Sequence, residues 1–262
     1  MKKLKLLAGM VRQEILRVIT GWRIYVSYIL FVIMCIVICE QYGATGAKES
    51  FDYIADLSNT GFLLVVLASF PFACSFCDDW LGCYYRPAVA RGGSTNYILA
   101  KIIMCVFVSF LVSFAGMFTF VCIRIITQGY NFQNYYHMLY EQLAINGHVI
   151  LYFLLASFIY ALVTPIYAIW GMAISALLPN RFVAVMTPLF ICICIQSITD
   201  KLPRFLRTHR ISSTSNLFDL PIESSLIVPS LILTIMVTWG YILIGAVIFA
   251  KAAGGRIHNE IV

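Results

Sequence analysis

The segment FCDDWLGCYYRPAVARGGSTNYILAK, residues 76–101, is a polar stretch between two long apolar runs. Of the 262 residues in the chain, 61% are hydrophobic and 11% are charged. A soluble domain has about 25% charged residues, and a core of this size could not hide so much apolar surface. The composition therefore predicts an integral membrane protein, with residues 1–262 forming a single transmembrane domain.

Six apolar runs approach the length of a spanning helix, since about 20 residues cross the hydrocarbon layer. The predicted spans cover residues 24–39, 61–76, 102–123, 149–177, 182–198 and 226–250. Pro71, Pro165 and Pro188 fall inside the second, fourth and fifth spans. Proline is tolerated in a membrane helix where neighbouring groups satisfy the carbonyl that it leaves unpaired. We therefore predict an all-α fold of six transmembrane helices, some of them kinked.

The distribution of Lys and Arg predicts the orientation, because these residues favour the cytoplasmic side. The segments on the side of the N-terminus hold twelve of the eighteen basic residues and four of the twelve acidic residues, a net charge of +8 against −2 on the other side. We therefore expect both termini in the cytoplasm and a multi-pass protein of the plasma membrane. The basic segment 200–210 disagrees, because this topology places it outside.

Residues 1–23 have the pattern of an amphipathic helix. Arg12, Glu14 and Arg17 interrupt any apolar stretch of the kind that a cleaved signal sequence needs. Apolar residues recur at steps of three and four, at Leu7, Val11, Ile15, Val18 and Trp22. Two interpretations stay open: the helix lies in the inner headgroup layer, or it packs on the protein itself.

The sequence has few signs of an active site. It has no G-x-x-x-x-G-K-[ST] phosphate loop, no G-x-G-x-x-G turn and no H-E-x-x-H zinc pair. The predicted span interiors hold no Asp, Glu, Lys or Arg, which argues against a proton-coupled pump and intramembrane catalysis. A single C-x-x-C pair, Cys74 and Cys77, favours helix packing over a metal site. Basic residues scattered between apolar runs do not indicate nucleic-acid binding. We expect no enzyme activity and no cofactor in this chain.

The polar segment itself predicts a short helix between two hinges. Gly82 permits a close turn, and Pro87 suits the first turn of a helix. The glycines after Arg91 end that helix, and Ser94 or Thr95 would cap the next one. Lys101 would extend back to the membrane interface. Such a helix suits docking to a cytosolic partner, and an ordinary solvated loop is the alternative.

These residues resemble the inner loop between spans two and three of the type-2 ABC-transporter permeases, close to the small permeases of bacteriocin-immunity and peptide-export systems. That family shows an acidic residue, a Gly, an apolar run, then R-G-x-S-x-x-x-Y and a closing Lys. The matching positions are Asp79, Gly82, Arg91, Gly92, Ser94, Tyr97 and Lys101. The chain departs from the pattern at Cys83, where a Thr is common, and in the doubled glycine that stretches the spacing.

The resemblance implies a bacterial permease subunit whose residues 77–101 form a cytoplasmic coupling helix. The residues implied in coupling are Asp78, Asp79, Gly82, Arg86, Arg91, Gly92, Ser94, Tyr97 and Lys101. The implied partners are two cytosolic ATPase subunits, which would hold the ATP and Mg, and a second copy of the chain or a related permease. The subunit would export a peptide or a lipid-like substrate. A non-transporting immunity, sensor or scaffold subunit is the alternative, and an unrelated membrane enzyme is a third.

The predicted outer loop 199–225 contains a second cluster of basic residues. Spaced three apart, they would lie on one face of a helix: Lys201, Arg204, Arg207 and Arg210. They could bind anionic lipid headgroups or an acidic part of a substrate. A plain interfacial helix is the other interpretation.

Overall fold

A computed structural model describes residues 2–44, 46–55, 61–129, 147–201 and 227–261. Within these ranges all regular structure is helical, which confirms the all-α prediction. The described helices are α1 Lys2–Thr20, α2 Trp22–Tyr42, α3 Ala47–Ala55, α4 Phe62–Ala73, α5 Ser75–Leu81, α6 Tyr85–Gly92, α7 Ser94–Gln128, α8 Val149–Leu177, α9 Arg181–Lys201 and α10 Ile227–Ile261.

Five stretches of helix are long and apolar enough to cross a membrane. They are Trp22–Tyr42, Phe62–Leu81, Ser94–Gln128, Val149–Leu177 and Thr238–Glu260. The second combines α4 and α5, which continue each other across Cys74. The fifth predicted span falls on α9, where the apolar stretch Arg181–Cys194 is shorter than a spanning helix. The helices are thus consistent with a multi-pass membrane protein.

The helices alternate in direction between two ends of the bundle. We call the end that carries α6 the α6 end, and the end that carries α3 the α3 end. At the α6 end, Arg181 at the start of α9 contacts Asp78 of α5, and Arg256 of α10 donates to the carbonyl of Leu177. At the α3 end, Arg124 of α7 contacts Glu40 near the end of α2. Helix α1 meets α6 at Met10. The first helix and the last described turn of α10 therefore both lie at the α6 end.

Helix α8 forms the centre of the bundle and packs against α4, α7, α9 and α10. Small residues let the helices approach closely, as in other membrane bundles. A Cβ atom at Gly116 would lie 2.5 Å from Cδ1 of Phe31, and one at Gly171 would lie 3.0 Å from Cγ of Pro188. A hydrogen bond between the hydroxyls of Ser113 and Thr164, 2.7 Å long, joins α7 to α8 inside the bundle.

Two of the three prolines inside the predicted spans leave a backbone carbonyl without its helical hydrogen bond, and each of these carbonyls accepts a hydrogen bond from a side-chain hydroxyl instead. Pro71 frees the carbonyl of Leu67, which accepts from the hydroxyl of Ser27 on α2. Pro165 frees the carbonyl of Ala161, which accepts from the hydroxyl of Thr164 at 3.1 Å. These partners fulfil the condition under which membrane helices tolerate proline.

Helix α1 packs on the protein through its apolar stripe. Met10, Val11, Ile15 and Val18 contact the hydrophobic core, and α7 is the main neighbour of the helix. These contacts support the second interpretation, packing on the protein, for this part of the stripe, while Trp22 at its end is 63% exposed. Further apolar side chains of α1 stay exposed, namely Leu4, Leu6, Leu16 and Ile19.

At the α3 end, the buried Arg124 of α7 connects α2 with α3, a helix that was not predicted from the sequence. The guanidinium of Arg124 donates to Glu40 Oε1 at 2.9 Å, to the Ser50 hydroxyl at 2.9 Å and to the Ala44 carbonyl at 2.7 Å. Arg124 is 4% exposed. Because the predicted span stopped at residue 123, we expected this charge in a loop, but α7 continues to Gln128.

Candidate functional site

The segment between α5 and α7 forms the short helix that the sequence predicted. Helix α5 ends at Leu81, and the amide of the next residue, Gly82, donates to the carbonyl of Asp78 at 2.9 Å. Helix α6 then runs from Tyr85 to Gly92 with Pro87 in its first turn. Gly93, with φ of 82°, ends it, and α7 begins at the next residue. Both hinges therefore depend on local backbone chemistry.

Two details of these hinges differ from the prediction. The left-handed backbone falls on Cys83, with φ of 57°, and not on Gly82. Gly82 is needed for space, because a Cβ atom there would lie 2.9 Å from Cδ2 of Tyr84. The N-cap of α7 is Gly93, and neither Ser94 nor another side chain makes a capping bond.

A buried cluster of charged groups joins α5 to α7. The Nζ atom of Lys101 lies 2.6 Å from Oδ2 of Asp79, and the hydroxyl of Tyr97 donates to the same oxygen at 2.9 Å. Lys101 also contacts Oε1 of Glu14 at 2.8 Å and donates to the Ser75 hydroxyl at 2.6 Å. The structure therefore brings together three of the predicted residues, Asp79, Tyr97 and Lys101. Asp79 of α5 and Lys101 of α7 form an ion pair between the two helices.

The prediction that the Lys101 side chain extends to the membrane interface is wrong. None of its surface is exposed, and its ammonium lies within the cluster, 5.4 Å from the centre of the Phe72 ring. A buried ammonium is costly unless it is paired and hydrogen-bonded. Here Asp79 and Glu14 supply the opposite charge, so that the side chain turns inward.

Helix α1 completes the cluster with two residues that sequence reasoning did not assign to the site. Arg17 donates to Oδ1 of Asp79, while Glu14 binds Lys101. Burial disfavours the charged guanidinium, but the neighbouring Asp79 outweighs that cost and raises the pKa of Arg17 above its usual value. The available signal was that both residues interrupt the apolar stretch that a cleaved signal sequence would need.

The adjacent acid, Asp78, pairs with different helices. Arg23 at the start of α2 donates to its Oδ2 atom, and Nε of Arg181 lies 2.8 Å from its Oδ1 atom. The two neighbouring carboxylates of α5 thus connect the beginnings of α2 and α9 on one side, and α1 and α7 on the other.

Helix α6 is braced against the end of α10. The rings of Trp80 and Tyr85 stack with centroids 4.6 Å apart. The Tyr85 hydroxyl donates to Glu260 and accepts from Nε of Arg86 at 3.2 Å. The bond from Arg86 favours the phenolate, but the bond to Glu260 and burial outweigh it, so that the pKa of Tyr85 is raised. The carbon Cζ of Arg256 lies 5.6 Å from the centre of the Trp80 ring.

The other side of α6 contacts α1. A Cβ atom at Gly92 would lie 2.0 Å from Cε of Met10, so the two helices meet at a residue without a side chain. A cleft of about 380 Å³ lies beside this contact and is lined by Lys5, Tyr84 and Arg91 among others. Tyr84, Arg86, Pro87 and Arg91 are exposed.

The remaining expectations concern the basic outer loop and metal binding. Lys201 ends α9, while Arg204, Arg207 and Arg210 lie outside the described residues, so their role stays a prediction. All nine cysteines, including Cys74 and Cys77, are free. In the part of the chain that the structure describes, no group of three His, Cys, Asp or Glu residues could hold a metal ion.

Comparison of the chain with protein-family models, with curated proteins and with solved structures finds no match. The class of the protein therefore follows from its own features. Long apolar helices and a charged cluster at one end of the bundle are consistent with a multi-pass membrane protein.

Proposed function

We propose that the chain is the membrane-spanning permease subunit of an ATP-driven ABC exporter. The observation that carries the proposal is α6, a short helix between two hinges that presents Tyr84, Arg86 and Arg91 at the surface. Its sequence resembles the coupling segment of the type-2 permeases. The printed sequence has no phosphate-binding loop, so the proposal assigns ATP and Mg to a partner ATPase.

The contacts of α6 support a mechanical role. At its first residue, Tyr85 bonds to Glu260 of α10 and stacks on Trp80 of α5. At its last residue, Gly92 contacts Met10 of α1. Beyond the hinge, Lys101 and Asp79 lock α7 to α5. A partner that pushes on α6 would therefore displace several spanning helices together, because packed helices shift as units.

The proposal includes six crossings, with α9 as the fifth. Helix α8 ends and α9 begins at the α6 end, where Arg181 contacts Asp78. Helix α10 also ends there, at Glu260. If α10 crosses from the α3 end, the chain must first return to that end, and α9 is the described helix that points in this direction.

The α6 end would face the cytoplasm of a bacterial cell, with the two ATPase subunits beneath it. A second copy of the chain, or a related permease, would complete the transport pathway. Since Lys and Arg are more frequent in the segments at this end, the positive-inside tendency favours the same orientation. The substrate proposed is a peptide or a lipid-like molecule that leaves the membrane or the cytoplasm.

Affinity purification from native membranes in a mild detergent tests the proposal. We expect the wild-type chain to retain a subunit that hydrolyses ATP, and Arg91→Glu to lose it. Arg12→Glu, which changes an exposed charge of α1 that does not line the cleft beside α6, is the matched control and should retain the ATPase.

Two outcomes would contradict the proposal. One is wild-type protein that carries no ATPase from its native membranes. The other is unchanged ATPase retention after replacement of the whole α6 surface, namely Tyr84, Arg86, Pro87 and Arg91. ATPase retention without any substrate-stimulated hydrolysis would instead favour the non-transporting subunit.

A further inference from the structure

The elbow between α1 and α2 borders a half-open cavity, lined by both charged and apolar side chains, that the proposed coupling function does not use. Its volume is about 240 Å³, several times the roughly 30 Å³ that one water molecule occupies in the liquid. Residues of α1 and α2 form one wall, and Pro71, Phe72, Ser75 and Asp78 of α4 and α5 form the other. The cavity can therefore hold a polar group larger than a single water molecule.

The cavity has cationic and anionic groups on the same helix pair. Arg17 and Arg23 line it, and their side chains stay 46% and 35% exposed although each donates to an aspartate. A guanidinium has five N–H donors, so both retain donors for a further anion. Arginine pairs well with phosphate because two N–H groups can bind two oxygens at once.

Glu14 supplies the opposite charge in the same cavity. Its Oε1 atom binds Lys101, but its buried Oε2 atom has no hydrogen-bond partner among the described residues. A buried carboxylate oxygen without a donor is costly. Because this oxygen is buried in the structure, a ligand's N–H donor can reach it once the Glu14 carboxylate turns toward the cavity, and that bond would remove the cost.

The position of the cavity points to a phospholipid. Trp22 lines it and is 63% exposed, and Tyr25 is exposed one turn further along α2. Trp and Tyr favour the boundary between headgroups and hydrocarbon. Beyond them, α2 exposes apolar side chains over which acyl chains can pack: Val26, Ile29, Leu30 and Ile33.

We propose that this cavity binds the phosphoethanolamine headgroup of a membrane phospholipid. The phosphate binds Arg17 and Arg23, and the primary ammonium donates to Glu14. A choline headgroup has no N–H to donate and suits aromatic cages instead. A glycerol headgroup has no cation for Glu14. The site does not depend on transport, so its failure and the failure of the permease proposal are separate results.

Native mass spectrometry of the purified full-length chain in detergent micelles tests this site. Phosphatidylethanolamine, phosphatidylcholine and phosphatidylglycerol with identical acyl chains are offered at equal concentrations. We expect the ethanolamine lipid to bind about tenfold more tightly than each of the others, the effect of one charge-assisted hydrogen bond. Equal retention of the three lipids would overturn the proposal.

Variants separate the site from general lipid contact. Arg23→Gln should weaken binding of the ethanolamine lipid about tenfold, and Asp78 keeps Arg181 as its partner in this variant. Arg12→Gln, on the exposed face of α1, should bind like the wild type. Glu14→Gln should reduce the preference for ethanolamine over glycerol headgroups. Unchanged binding by an Arg23→Gln protein that elutes as a folded species would exclude the site.

A final arm distinguishes the lipid from a soluble phosphate compound. Glycerophosphoethanolamine carries the same headgroup without acyl chains, and inorganic phosphate carries only the anion. We expect neither to displace the lipid at equal concentration, because neither gains the contacts along α2. Displacement by either one would reassign the cavity to a soluble ligand and overturn the lipid proposal.

Discussion

The Nζ atom of Lys101 lies 2.6 Å from Oδ2 of Asp79, and neither residue is more than 3% exposed. This contact fixes the first turns of α7 to α5, on either side of the exposed helix α6. It places a charge pair inside the bundle, where removal of Lys101 leaves Asp79 with Arg17 as its remaining cation and leaves Glu14 without one.

Lys101→Met should therefore destabilise the protein strongly. We expect a loss of about 3–5 kcal/mol in the free energy of unfolding, because Asp79 and Glu14 remain buried without this cation. Unfolding by SDS in detergent micelles, followed by circular dichroism, measures the change. Lys251→Met, at an exposed lysine of α10, should change the value by no more than about 0.5 kcal/mol. Equal effects of the two substitutions would refute the role of the pair.

Ser27→Ala should cost about 1 kcal/mol, since it removes the donor to the Leu67 carbonyl that Pro71 leaves unpaired. In a Pro71→Ala background the cost should fall close to zero, because the alanine N–H can bond to the same carbonyl. The difference between the two backgrounds is the measured quantity in a double-mutant cycle.

Ser69→Ala is the control for this cycle. Its hydroxyl donates to the carbonyl of Val65 in its own helix at 2.7 Å, independently of Pro71. Its cost should be the same in both backgrounds. An identical cost of Ser27→Ala in both would show that the interhelical hydroxyl does not replace the lost backbone bond.

Gly92→Ala should weaken the contact between α1 and α6. The added Cβ atom would lie 2.0 Å from Cε of Met10, so that the flexible end of the methionine must move, at a cost of about 1 kcal/mol. Met10→Ala in the same chain should restore most of the loss. Gly255→Ala, where no atom lies within 4 Å, should be neutral or stabilising by up to about 1 kcal/mol. Thermal unfolding in micelles ranks the four proteins, and equal midpoints for both glycine variants would contradict the close contact.

Cys83 offers a direct test of the orientation. Its thiol lies in the exposed turn before α6, so a membrane-impermeant maleimide should label it in inside-out vesicles and not in intact cells. Cys83→Asn is the control, because asparagine tolerates the φ of 57° at this position and removes the thiol. Labelling that disappears in this variant but occurs only from the outside would place α6 on the exterior and end the permease proposal.

Most helices could be predicted because their signals are local. The long apolar runs led to the five described helices that are long and apolar enough to cross a membrane, and Pro87 and Gly93 marked the limits of α6. Helix α3 was missed, since nine residues with mixed charges give no clear span signal. The predicted span 102–123 is shorter than α7, Ser94–Gln128, because the charged residues Lys101 and Arg124 end the apolar run but not the helix.

The candidate site was predicted only in part. Asp79, Tyr97 and Lys101 were recognised as a motif, but their contact with one another could not be derived from their spacing. Glu14 and Arg17 were interpreted only as interruptions of an apolar stretch, which excluded a cleaved signal sequence. Their partners lie on α5 and α7, which are far away along the chain.

The sequence by itself indicated a multi-pass membrane protein, the approximate limits of five long apolar helices, and the short helix α6 between two turns. Those features depend on the length of apolar runs and on backbone preferences, which act over a few residues. Only the tertiary structure decided that Lys101 turns inward, that α1 packs on α7 and that α6 is braced by Glu260. A buried charge is stable only beside its partner, and which partner it meets depends on how distant helices pack.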